Sequence, residues 1–112
     1  MIDLHNELSY KLKDLDSCVK MLRTNGTKMA EAEKKYRIAL KKKVVEMRAN
    51  KIALGEINLT IYGDEEIAAL RYERDIAQVV YEANKESINV IKLQIKIISE
   101  QLNKEYGQVK YE

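Results

Sequence analysis

Apolar residues return along the first half of this chain in steps of three and four: Leu8, Leu12, Leu15, Val19, Leu22, then Met29, Tyr36, Leu40 and Met47. Alternating steps of this kind keep one side of a helix apolar, and over several turns they make a heptad seam. Asn25-Gly26 interrupts the pattern with a pair that normally marks a turn or a helix end. The phase nevertheless survives, because Gly26 takes the seam position after Leu22 and Met29 follows on schedule. A chain reversal would have no reason to keep register. The pattern predicts one helix over about 3–53, weakened or kinked at 25–26, with two helices joined by a true turn as the competing reading. Gly26 on the seam would let a facing helix approach closely, at a cost of about 1 kcal/mol in helix propensity.

The segment 54–63 is the predicted connection. Gly55 and Gly63 bracket it, and the alternation of Ile57, Leu59 and Ile61 alone would suggest a strand. One short strand has no partner in this chain, so a helical turn or loop plugging the end of a hairpin is expected instead. Asp64 is a good N-cap, and Glu65 and Glu66 after it suit the positive end of a helix dipole. The predicted main helix covers 64–106 and has two apolar seams. The first is Ile67, Leu70, Arg74, Ala77, Tyr81, Asn84, Ile88, Ile91, Ile95, Ile98 and Leu102; the second is Ala69, Tyr72, Ile76, Val79, Ala83, Glu86, Val90, Leu93 and Ile97. At about 100° per residue the two seams lie about 160° apart, on nearly opposite faces. After Gly107 a frayed tail, 107–112, is expected.

The expected fold is therefore all-α: a single domain forming a long antiparallel helical hairpin, coiled-coil-like. With the turn at 54–63, residue i should face about residue 116 − i, so that Met47 meets Ala69, Leu40 meets Ile76, Gly26 meets Val90 and Leu12 meets Lys104. Arg74 and Asn84, inside the first seam, would set register, as buried polar residues do in coiled coils. The first helix can cover only one seam of the second. The other, carrying Ile76, Val79, Val90, Leu93 and Ile97, would be a long apolar patch in water. A second copy would cover it in a dimeric helical bundle, and a foreign protein partner is the alternative.

Composition agrees with an elongated seam rather than a ball. Hydrophobic residues make up 46% and charged residues 34% of 112 residues, with seven Tyr and no Phe, Trp or Pro, a profile typical of long helices. Cys18 is the single cysteine, which excludes an intrachain disulfide and suggests a reducing compartment. No run of about 18 apolar residues predicts a membrane span, and Met-Ile-Asp-Leu-His-Asn-Glu lacks the features of a signal peptide. A cytoplasmic location is expected.

The net charge of +2 is uninformative, but its distribution is not. Lys34, Lys35, Arg37, Lys41, Lys42, Lys43, Arg48 and Lys51 form a basic stretch interleaved only by Glu31, Glu33 and Glu46. Such a stretch can hold phosphates or an acidic partner. The simpler reading is pairing inside the hairpin, where the stretch would face Glu65, Glu66, Glu73, Asp75 and Glu82. Tyr36 is its only aromatic, a poor platform for stacking bases. No metal-ligand spacing involves His5 or Cys18, the four glycines are isolated, and Glu82 with Glu86 reads as a solvated face beside Lys85. A non-enzymatic protein without cofactor or metal is expected.

Leu22-Arg-Thr-Asn-Gly26, Ala30-Glu-Ala-Glu33, Tyr36, Tyr62-Gly-Asp-Glu-Glu-Ile-Ala-Ala-Leu-Arg71, Glu73-Arg-Asp75 and Tyr81 together resemble a group of small helical proteins encoded by phages and prophages of Gram-positive bacteria. The resemblance covers most of the chain and contains no catalytic motif. It implies a phage accessory protein, either a helper of phage DNA metabolism or a counter-defence factor. With the wide apolar stripe and mixed charged faces, the expected function is a protein-binding hairpin that inhibits a host antiviral, CRISPR-type protein in the bacterial cytoplasm; the alternatives are an accessory protein that binds or anneals DNA through Lys34 to Lys51, and a structural coiled-coil oligomer of a phage particle.

Overall fold

A computed structural model describes residues 3–111, with side chains over 3–106. Helix α1 is Leu4–Ala49, a short α2 is Leu54–Thr60, a 3₁₀ turn follows at Ile61–Gly63, and α3 is Glu65–Tyr111. No strand occurs among the described residues. The architecture is an all-α helical hairpin, with α1 and α3 running antiparallel. The chain divides into two compact units, one of Asn25–Tyr81 and one of Met1–Thr24 with Glu82–Glu112.

The ends of α1 follow from side-chain and backbone chemistry. Asp3 caps its start, its Oδ1 accepting from the His5 N–H at 3.0 Å and its carbonyl from the Glu7 N–H. The helix stops in a Schellman turn. The Lys51 N–H donates to the Arg48 carbonyl and the Ile52 N–H to the Met47 carbonyl. Lys51 itself takes the left-handed conformation, φ 61°, that glycine usually supplies. Ile52 and Met47 then pack on one apolar cluster, the contact that commonly accompanies this turn. The helix thus ends at Ala49, a few residues before the expected boundary near 53. Asn25-Gly26 neither breaks nor ends α1, which runs unbroken through both.

In the Asn25–Tyr81 unit the core is a cluster of Tyr36, Ile57, Ile61 and Ile67, with Leu40, Val44, Met47, Ile52 and Leu70 packed against it. The alternating Ile57 and Ile61 point inward because the segment is helical and they stand four apart. Leu59 between them is 86% exposed. Burying each isoleucine contributes about 1.5–3 kcal/mol.

This cluster also corrects the pairing register. Lys43 meets Asp64 at 3.1 Å, Glu33 meets Arg74, and Gly26 faces the Tyr81 ring rather than Val90. The expected register assumed a simple turn between helices of matching ends. Instead α1 runs on past Lys43, and α2 with the 3₁₀ turn fills the step beside Val44 and Met47. α3 therefore starts opposite Lys43 rather than opposite the end of α1.

In the second unit Ile88 and Ile98 are buried on α3, and Leu8, Leu15 and Leu22 are half-buried on α1. Leu12 and Val19, expected on the seam, are each 49% exposed. Lys11 and Cys18 are half-buried where they had been expected. The inward line here is Leu8, Lys11, Leu15, Cys18, Leu22, which keeps heptad steps but trades two apolar residues for a long cation and a thiol. The first seam of α3 is inward at every predicted position. The helix continues through Gly107 to Tyr111, where a frayed tail had been expected. Residue 112 and the side chains of 107–111 lie outside the described residues.

Asp64 caps α3 as predicted, its Oδ2 accepting from the Ile67 N–H at 3.2 Å. That bond first, and the Lys43 ammonium second, hold the Asp64 carboxyl below the usual aspartate value, while Asp64 raises Lys43. An acid held low in the fold contributes stability above the pH at which the unfolded carboxyl titrates, and loses it as pH falls through the folded value. The thermal midpoint should therefore drop as pH is lowered beneath the ordinary aspartate value of 3.8, and the Asp64→Asn chain should lack that part of the drop. Lys51→Gly should raise stability by about 1 kcal/mol by relieving the left-handed lysine, read by thermal or urea denaturation.

Candidate interaction surfaces

Three groups of residues bear on function: the polar members of the inner seams, the basic stretch of α1, and the outer seam of α3. The first group is occupied with holding the fold. Arg74 is layered over the buried Tyr36 ring, 4.5 Å from guanidinium to centroid. Its Nη2 also binds Asp75 Oδ1 at 2.8 Å, and its Nε lies 3.6 Å from Glu33 Oε2. Tyr36, 4% exposed, is thereby sealed from solvent. Asn84 is 9% exposed and its Nδ2 donates to the Cys18 carbonyl of α1 at 3.0 Å. Both Arg74 and Asn84 bind across to α1, consistent with a role in setting register.

The basic stretch is partly accounted for by such pairing. Lys43 binds Asp64 across the hairpin, and Arg37 binds Glu33 one turn back on its own helix at 2.7 Å. The expected facing of bases on acids goes no further, since Lys34, Lys35, Lys41, Lys42, Arg48 and Lys51 are exposed and make no ion pair among the described residues. The register explains this: the shift places Arg74 and Asp64, rather than the run of glutamates, against the α1 positions that point inward. Lys34, Lys41 and Arg48 fall seven residues apart, and seven residues return a helix to nearly the same bearing about 10.5 Å further on. Ile38 and Val45 share that outer face, 46% and 59% exposed. They were not among the residues singled out from sequence, although their own seven-residue spacing, out of phase with the inner seam, was the available signal.

The outer seam of α3 is exposed at every position. Ile76 is 47% exposed, Val79 64%, Val90 46%, Leu93 58% and Ile97 48%. Tyr72 and Val80 extend the same face. In the Asn25–Tyr81 unit, Tyr72, Ile76 and Val80 line a groove of about 370 Å³ with Asn25 and Lys28. In the other unit Ala83, Glu86 and Val90 line one with Lys11 and Cys18. Single exposed aliphatics are ordinary on protein surfaces, whereas a row of them along one helix is a larger apolar surface than scattered residues present.

No group of His, Cys, Asp and Glu among the described residues is placed to hold a metal. Among the described residues no helix is long and apolar enough to cross a membrane. No family model matches the chain, and no curated protein or solved structure matches it either. What the surfaces can do chemically is associate: one is cationic with an aliphatic centre, and the other is an aliphatic stripe. Asn84→Ala should cost about 1–2 kcal/mol in urea denaturation by removing a buried cross-helix hydrogen bond and leaving a small void, with the helical signal unchanged.

Proposed function

We propose that the chain is a non-enzymatic protein-binding hairpin that acts by occupying the surface of a partner, through the outer face of α1 in the Asn25–Tyr81 unit. The observation that carries this reading is the row Lys34, Lys41 and Arg48, exposed and without an ion pair among the described residues, flanking the exposed Ile38 and Val45. Cations around an aliphatic strip fit a protein surface of acidic and apolar character, where the aliphatics supply burial and the charges supply orientation and on-rate. Combined with the resemblance to small phage-encoded helical proteins, the concrete form is a stoichiometric inhibitor of a host antiviral protein of the CRISPR type, acting in the bacterial cytoplasm.

A second reading, an accessory DNA-binding protein, is favoured by the same unpaired cations. Two features weigh against it. Tyr36, the one aromatic of the stretch, is buried beneath Arg74 and offers bases nothing to stack on. Ile38 and Val45 add nothing to a contact with phosphates. The third reading, a purely structural coiled-coil oligomer, leaves the basic row without a role.

The test is a plasmid-interference assay in bacteria carrying a CRISPR nuclease, with the chain co-expressed. Interference should fall with the unaltered chain and return when Lys34, Lys41 and Arg48 are all changed to Glu, while helicity is unchanged. A mobility shift with single- and double-stranded DNA at two salt concentrations separates the readings. Undiminished interference together with a salt-sensitive DNA shift, lost in the same triple variant, would replace the inhibitor with the DNA-binding protein.

A further inference from the structure

Two grooves of the Asn25–Tyr81 unit lie one after the other between α1 and α3. One, of about 370 Å³, has Lys28 on its α1 rim and Glu73 and Val80 on its α3 rim. The other, of about 460 Å³, has Lys35 and Lys42 on the α1 rim and Glu66 on the α3 rim. Seven residues return a helix to nearly the same bearing, so Lys28, Lys35 and Lys42 form one row, and Glu66, Glu73 and Val80 the other. The grooves therefore open on the same side of the unit. This lysine row is distinct from Lys34, Lys41 and Arg48, which lie about 100° further round α1. Between the rims the floor is made by Ala39, Leu70 and Ala77. Lys28, Lys35, Lys42, Glu66 and Glu73 are all exposed and make no ion pair among the described residues. We infer that a second copy of the chain packs on this face about a two-fold axis parallel to the helices, with α1 of each copy against α3 of the other in a four-helix arrangement.

The heights of the charges select that occupant. Lys43 with Asp64, Glu33 with Arg74 and Gly26 with Tyr81 set residue i of α1 level with about residue 107 − i of α3. Lys35 is then level with Tyr72 and Lys42 with Glu65, each about 1.5 Å along the axis from Glu73 and Glu66 respectively. Within one copy, each lysine and its level glutamate stand on opposite rims of the groove. Rotation about an axis parallel to the helices keeps every height and exchanges the rims. Lys35 thereby meets Glu73 of the second copy and Lys42 meets its Glu66, each twice by symmetry. A two-fold axis lying across the helices would instead set α1 on α1 and α3 on α3, lysines against lysines and glutamates against glutamates, where like charges repel. A foreign helix would need acids along one edge and bases along the other at this same spacing, which the second copy already carries. Self-complementarity of this kind is what a two-fold interface requires. The small floor residues allow the close approach of about 8–10 Å between axes found in helical bundles.

The experiment uses the full chain, with sedimentation equilibrium for association and circular dichroism to confirm that each variant keeps its helices. The unaltered chain should be dimeric at micromolar concentration. Lys35→Glu with Lys42→Glu, and separately Glu66→Lys with Glu73→Lys, should each weaken self-association by roughly tenfold or more, because like charges then face each other. The two variants mixed in equal amounts should associate to within about threefold of the unaltered chain, since every acid again faces a base. Orientation is read by disulfide trapping in a Cys18→Ser background. A mixture of Lys35→Cys and Glu73→Cys chains should cross-link under oxidation, and neither chain alone should. A chain that stays monomeric at high micromolar concentration overturns the proposal, as does a dimer that neither reversal weakens or a mixture that fails to recover association. Cross-linking of Lys35→Cys to itself overturns it too, because it lays α1 on α1. Lys34, Lys41 and Arg48 are unaltered throughout, so the outcome is independent of the interference assay.

Discussion

The pairing register of the two long helices depends on the small apolar cluster where α2 and the 3₁₀ turn meet them. Ile57 and Ile61 are nearly solvent-free against Tyr36, Ile67 and the last turns of α1. To bury them the chain must let α1 run beyond the start of α3 and lay α2 in the resulting step. Once that step exists, Asp64 falls beside Lys43 and Arg74 beside Glu33 and Tyr36. Each of these contacts is individually modest, because partly exposed ion pairs are screened by water. Together they agree on one alignment, and agreement among levels is what makes a long, repetitive helix pair specific.

Gly26 shows the same constraint from the other side. A Cβ at this position would come within 3.3 Å of the Tyr81 ring, tighter than ordinary contact. The glycine that looks like a break in the sequence is a place where an aromatic ring lies close against α1. The helix tolerates it because its neighbours on both sides hold the hydrogen-bonded ladder, and a single glycine costs only about 1 kcal/mol.

The two outer faces differ in kind from this interior. Inside, polar groups are paired: Asn84 with a backbone carbonyl, Arg74 with a ring and two carboxylates. Outside, Lys34, Lys41 and Arg48 of α1 make no ion pair among the described residues, and the outer aliphatics of α3 are exposed. α1 covers only the inner seam of α3, so the outer seam stays exposed. The basic row and the aliphatic seam lie on different helices.

Much of this was determined by local sequence. The heptad spacing from Leu8 to Met47 and from Ile67 to Leu102 specified two long helices. Asp64 marked the start of the second, and the double seam of α3 foretold which side chains are inward and which stay exposed. The steps of three and four are a property of helix geometry, so they can be read without a structure. Three things were not legible. Leu12 and Val19 sit one position from the true inward line, because Lys11 and Cys18 give no apolar signal although both fit a seam. The Schellman turn at Lys51 lacks its usual glycine. The register could not be counted from the turn, since it depends on how much volume α2 occupies beside Val44 and Met47. That register in turn left Lys34, Lys41 and Arg48 without the acids that a simple count would have set against them. Side-chain periodicity is fixed along one helix, but its alignment with another is decided only by what packs between them.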